Sequence, residues 1–79
     1  MQLIDVAIGK KVRVIAFQDG LGLARKLRQI GIMPGDCAKV LRYAPFNGPV
    51  LIEVGGRSIA LGWGIASKIE VEDSECDSH

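Results

Sequence analysis

Seventy-nine residues, 48% of them apolar, make one small domain with a modest core. Ten basic side chains against nine acidic ones leave a formal charge of +1, short of the basic excess usual in nucleic-acid binders. No apolar run approaches the about 20 residues that span a bilayer, and no basic segment followed by an apolar stretch opens the chain, so neither a membrane span nor a signal peptide is expected.

The run from Leu3 to Gly9 is too apolar for a tail and is expected to pack across the core, ending in a turn at Gly9. Lys10 to Phe17 reads as a strand, with Val12, Val14 and Ala16 alternating against Lys11, Arg13 and Ile15. Gln18-Asp19-Gly20 then turns the chain into a helix from Leu21 to Ile30, about residues 21–31 with its glycine stop. Leu23, Leu27 and Ile30 share one helical face, and Arg25, Lys26, Arg28 and Gln29 fill the other. Gly31 stands where a left-handed C-cap needs a residue without Cβ. Pro34 cannot continue the helix, and Gly35 permits φ > 0 at the third position of a turn.

Asp36 to Tyr43 reads as the second strand, followed by a loop over Ala44-Pro45-Phe46-Asn47-Gly48-Pro49. Val50 to Val54 and Arg57 to Leu61 form a hairpin around Gly55-Gly56. Gly62-Trp63-Gly64 breaks the fourth strand, a short helical turn follows near 64–67, and Lys68 to Val71 is the fifth strand. The expected fold is mainly β: a small five-stranded, partly open barrel with one inserted α-helix, since closing the sheet protects its edges. The domain spans 1–72, and the acidic, polar tail at 73–79 is expected to be disordered.

Catalytic groups are sparse. The one histidine, His79, is the last residue, a poor place to hold a general base. Cys37, on a strand, is expected as a buried, inert thiol. Two cysteines, one in a strand and one in the tail, make no disulfide framework and point to a reducing cytosol. Cys76 and His79, three residues apart, are candidate ligands for a transition metal, iron or zinc, with Glu75 and Asp77 as oxygen donors. Ordering a frayed tail costs entropy, so a solvated tail is the favoured reading. A metal shared between two such tails would give a homodimer.

Two surfaces are candidates for partner binding. One is the basic helix face of Arg25, Lys26 and Arg28, next to Lys10, Lys11 and Arg13. The other is a pair of loop aromatics, Phe46 beside Pro45 and Trp63 between two glycines, which would line a groove for an extended peptide. The alternative is that each ring folds back over an open barrel end. With so few aromatics, a stacking platform for nucleic acid is not expected.

Three segments in order, Leu27-Arg28-Gln29-Ile30-Gly31-Ile32-Met33-Pro34-Gly35, Val40-Leu41-Arg42-Tyr43-Ala44-Pro45 and Gly48-Pro49-Val50-Leu51-Ile52-Glu53-Val54, resemble the ferrous iron transport protein A (FeoA) family. Ile59-Ala60-Leu61 and Ala66-Ser67-Lys68-Ile69-Glu70-Val71 also fit its pattern, so the resemblance covers about residues 3–72. It implies an SH3-like barrel with an inserted helix. It further implies a small cytosolic accessory of FeoB, the GTPase-coupled ferrous iron permease, held near the inner membrane by that partner. The same fold ends metal-dependent repressors similar to DtxR, but no helix-turn-helix precedes it here. Family members often carry a basic and an acidic residue after the fourth strand, where this chain has Gly62-Trp63-Gly64-Ile65. The resemblance assigns no metal ligand and no catalytic residue. The expected function is thus a non-enzymatic, regulatory contact with the transporter. The alternatives are a metal-responsive dimerising module built on Cys76 and His79, and a small-barrel nucleic-acid-binding module.

Overall fold

In a computed structural model, which describes residues 1–18, 21–73 and 76, a 3-10 turn at Leu3–Asp5 leads into β1 (Lys11–Phe17) and α1 (Leu21–Ile30). Then follow β2 (Cys37–Tyr43), β3 (Val50–Val54), β4 (Arg57–Leu61), a single helical turn α2 (Trp63–Ala66) and β5 (Ile69–Asp73). The strands form one antiparallel sheet in the order β4-β3-β2-β1-β5. Its outer strands β4 and β5 do not pair, so the expected partly open barrel is what forms. Boundaries move by a residue or two: β1 starts at Lys11, β2 at Cys37 and α2 at Trp63, and β5 runs on to Asp73. Asp73 therefore belongs to the sheet, because its partner Val12 continues the ladder past Val71.

Strict alternation in β1 fails after Val14. Val14 pairs with Val71 but Ala16 with Glu70, so one extra residue is inserted and the side-chain parity flips. Val12 and Val14 are buried, Ala16 is exposed, and Phe17 takes the inward place expected for Ala16. A second bulge lies in β2, where Val40 pairs with Ile52 and Arg42 with Leu51. Ala38 and Val40 point inward before it, and Tyr43 packs against the core after it. Bulged strands bend and twist more strongly, which curves the adjacent interior strands β1 and β2.

The helix reaches the sheet through a capped joint. Ile32 N–H donates to the Leu27 carbonyl at 2.8 Å and Gly31 N–H to the Arg28 carbonyl at 3.1 Å, the paired bonds of a Schellman cap. Leu27 and Ile32, both fully buried, occupy the two positions whose apolar contact accompanies that motif. Gly31 has φ +106°, and a Cβ there would overlap the Arg57 guanidinium. That cation sits where the helix dipole favours positive charge. Next, Asp36 N–H closes a turn on the Met33 carbonyl at 3.1 Å, with Gly35 at φ +97°. The Asp36 carboxylate accepts from Met33 N–H at 2.9 Å. Val14 N–H donates to the Asp36 carbonyl (2.8 Å) and Gly35 N–H to the Val14 carbonyl (2.7 Å), tying the turn to β1.

The N-terminal segment is held from both sides. Val71 N–H donates to the Met1 carbonyl at 2.7 Å, and Gln2 bridges Glu70. Hydrogen bonds from the Met1 amine and Gln18, together with the amine's charge, keep the Glu70 carboxyl below its ordinary range. From the sheet, the Tyr43 hydroxyl donates to the Val6 carbonyl, with the Leu3 carbonyl at 3.2 Å beside it. Burial, then the negative charge of Asp5, raises the Tyr43 hydroxyl's pKa above its ordinary value.

The cysteines correct the sequence reading. Cys37 and Cys76 form a disulfide, with Cα atoms 5.9 Å apart and a sequence separation of 39. Neither is a free thiol: Cys76 lies at the start of β2, with its sulfur 3.7 Å from the Val12 carbonyl oxygen. Residue 76 of the expected frayed tail is thus anchored, while 74, 75 and 77–79 lie outside the described residues.

Two measurements check these assignments. Gly31→Ala should cost about 1–2 kcal/mol in denaturant unfolding, because alanine resists positive φ; an unchanged midpoint would contradict the cap. Tyr43 is the only tyrosine, so absorbance at alkaline pH reads it alone. Its midpoint should lie above the ordinary value of about 10. A raised folded pKa stabilises the protein fully below the unfolded value and loses that contribution as pH rises through the folded one. Tyr43→Phe should flatten the alkaline loss and cost about 1 kcal/mol at neutral pH.

Candidate functional site

Sequence reasoning singled out Phe46, and the backbone gives it an unusual setting. Ala44 N–H donates to the Pro49 carbonyl at 3.0 Å, closing the base of the β2–β3 connection. At the tip, Gly48 N–H donates to the Pro45 carbonyl at 3.2 Å. The two residues between have φ +60° (Phe46) and +55° (Asn47), the left-handed pair of a type I′ turn. Asparagine tolerates this geometry, but phenylalanine resists it by about 1 kcal/mol. The ring gains nothing inside the molecule in return, since Phe46 is 100% exposed. A strained backbone that presents a bare aromatic ring is a feature the fold does not need, and strain of this kind concentrates at functional positions.

Trp63 behaves differently. It is mostly buried, packs against the core and meets Tyr43 edge-to-face, ring centroids 6.5 Å apart at 61°. Trp63 thus lies against the core rather than standing free in solvent. A fully exposed Phe46 touches no other side chain, so the two aromatics do not line one groove.

Arg25, Lys26 and Arg28 are all exposed on α1, opposite the buried Leu27. No ion pair or hydrogen bond joins their side chains to another described residue, which leaves that face open to an acidic partner. Two of the three neighbouring cations are engaged elsewhere. Lys10 pairs with Asp73 at 2.8 Å, and Arg13 Nη1 donates to the Gly35 carbonyl at 3.0 Å.

A third feature was invisible in the sequence. A groove of about 730 Å³ lies beside the disulfide, lined by Lys11, Met33, Cys37, Lys39, Glu53, Arg57 and Cys76 among others. These residues come from four strands, the joint and the C-terminal segment, and no spacing rule unites them.

The candidate metal ligands do not fit a metal as they stand. Cys76 is bonded to Cys37 and has no thiolate to offer, while Glu75, Asp77 and His79 lie outside the described residues. Among the described residues, no three of the His, Cys, Asp and Glu side chains gather where they could hold a metal ion. No polar or charged side chain among them is buried either.

Comparison with known proteins gives one consistent answer. The family model described as the FeoA domain matches residues 1–73. A protein of Methanocaldococcus jannaschii described as an Fe(2+) transport protein A is 43% identical over 67 residues, 85% of this chain and 79% of that one. Among solved structures, the iron uptake regulatory protein FeoA superposes with a TM-score of 0.81 at 32% identity, covering 91% of this chain and 93% of that one. The FeoA of Stenotrophomonas maltophilia, a prokaryotic SH3 domain protein solved with zinc, superposes with a TM-score of 0.75 at 26% identity, covering 91% and 89%.

Proposed function

The chain belongs to the FeoA family, an accessory family of ferrous iron transport with an SH3-like fold, and from that membership we propose that it is a non-enzymatic protein that docks on a FeoB-like membrane transporter from the cytoplasmic side. The observation that carries the reading is Phe46: an aromatic side chain held fully in solvent by a left-handed backbone, with no role in the core. Burying such a ring in a partner's pocket is the usual anchor of a small interface. No described helix is long and apolar enough to cross a membrane, so membrane association would come through the partner. Arg25, Lys26 and Arg28 supply a second, electrostatic contact that speeds encounter and weakens with salt. Trp63 acts at one remove, as the wall that covers the barrel end beneath it.

The test is calorimetric titration against the purified cytoplasmic segments of the transporter. Binding in the micromolar range or tighter is expected, and none at high micromolar concentration would overturn the reading. Phe46→Ala should weaken binding about tenfold or more. The same variant should unfold at the wild-type midpoint, because the removed side chain touches nothing in the fold. A large loss of stability would instead make Phe46 structural. Reversing Arg25, Lys26 and Arg28 to glutamate should reduce the association rate and its salt dependence more than the dissociation rate.

A further inference from the structure

The sheet is not equally sewn along its width. β2–β3, β3–β4 and β1–β5 each align five residue pairs, whereas β1 and β2 align only three: Lys11 with Lys39, Val12 with Ala38, and Arg13 with Cys37. That seam, continued at its ends by backbone bonds of Gly9 and Lys10 with Val40 and of Val14 with Gly35 and Asp36, divides the sheet into a β2-β3-β4 meander and a β1-β5 pair. Two of its aligned residues are lysines, and like charges directly opposite each other weaken pairing. The disulfide lies at this thin point. Cys37 is one of the paired residues, and Cys76 reaches it with its sulfur beside the Val12 carbonyl. Both cysteines are half-buried and line the groove, so solvent and a small thiol have a path to the bond.

We propose that the Cys37–Cys76 bond is a reversible redox site that takes a dithiol reductant, and that its cleavage loosens the β1–β2 seam and releases Cys76 from the wall of the groove. The inference draws on the cytoplasmic placement proposed above, because a disulfide in a reducing compartment is characteristically transient or redox-sensing rather than a permanent staple. The chemistry is thiol–disulfide exchange. A thiolate of the dithiol attacks Cys76 Sγ, the S–S bond breaks, and Cys37 leaves as a thiolate. Arg13 stands in register opposite Cys37, with its guanidinium fixed on the Gly35 carbonyl, so positive charge is at hand for that leaving group. The second thiol of the reductant attacks the mixed disulfide and frees Cys76. The reductant ends as its own disulfide, and two electrons and two protons pass to the protein as two thiols. Cys76 is then free to leave the groove that it lines with Lys11, Lys39, Arg57 and Met33.

Hydrogen exchange on the purified full chain, with and without millimolar dithiothreitol under native conditions, decides the matter independently of any transporter binding. Trapping with iodoacetamide should label both cysteines in the treated protein and neither in the untreated one. The amides that bond across the seam, those of Val12, Val14, Ala38 and Val40, should then exchange about tenfold faster, while those at 50–54 and 57–61 keep their protection. The Cys37→Ser, Cys76→Ser double variant should show the loosened pattern without reductant and no response to it. If that variant does not fold, the treated wild-type protein carries the test alone. The proposal falls if the bond resists dithiothreitol until the chain is denatured, or if cleavage leaves the seam's exchange unchanged. It also falls if protection collapses throughout the sheet, which would make the disulfide a global staple.

Discussion

A helix of ten residues cannot hold itself, since isolated helices shorter than about 12–15 residues are marginal in water. α1 therefore depends on how its last turn is finished and fastened. The Gly31-to-Asp36 joint does both: the glycine accepts the φ +106° that closes the helix carbonyls, and the proline-glycine turn is stitched to Val14 through two backbone bonds. Because Val14 lies next to the bulge of β1, the joint fixes the helix at the point where that strand bends. Leu27 and Ile32 then enter the core together. The basic face of the helix follows from this attachment, since seating Leu27 inward turns Arg25, Lys26 and Arg28 outward.

The sheet shows how a short chain divides its stability. Three ladders are well paired, and one seam is thin, charged and clamped by a covalent bond. Hydrophobic burial beneath the sheet is continuous, for Val12 and Val40 on either side of the seam are both fully buried. Breaking the seam's surface link therefore need not empty the core. That separation, a shared apolar underside with an independently fastened upper face, is what lets one region respond locally in a domain this small.

Most of the fold was legible because its punctuation is chemical. Gly31, Pro34-Gly35 and Gly55-Gly56 announce their turns, and every expected element formed within about two residues of its place. The bulges were not legible. Ala16 and Phe17 are both apolar, so nothing in the pattern says which of them faces inward once a residue is inserted. The role of Tyr43 was hidden for a similar reason, since its acceptors are backbone carbonyls at Leu3 and Val6, far away in sequence. The disulfide was missed because a count of two cysteines carries no geometry, and 39 residues separate the pair in sequence. For the candidate site, sequence picked out two loop aromatics, with folding back the stronger alternative for Trp63. The backbone separated them, burying most of Trp63 and none of Phe46.

That separation bears on how such a surface persists. A residue that stabilises the fold is held in place by the fold's own energetics, as Leu27 is. Phe46 has no such hold: its conformation costs about 1 kcal/mol, and glycine or asparagine at that position would relieve the strain with no loss of packing. Nothing in the stability of the isolated chain favours phenylalanine there. An exposed ring that the fold disfavours needs a reason outside the fold, and the reason consistent with its exposure is a surface that buries it. The tip of the β2–β3 turn is thus read from a conflict between local conformation and residue type, in a chain whose other punctuation agrees with its structure throughout.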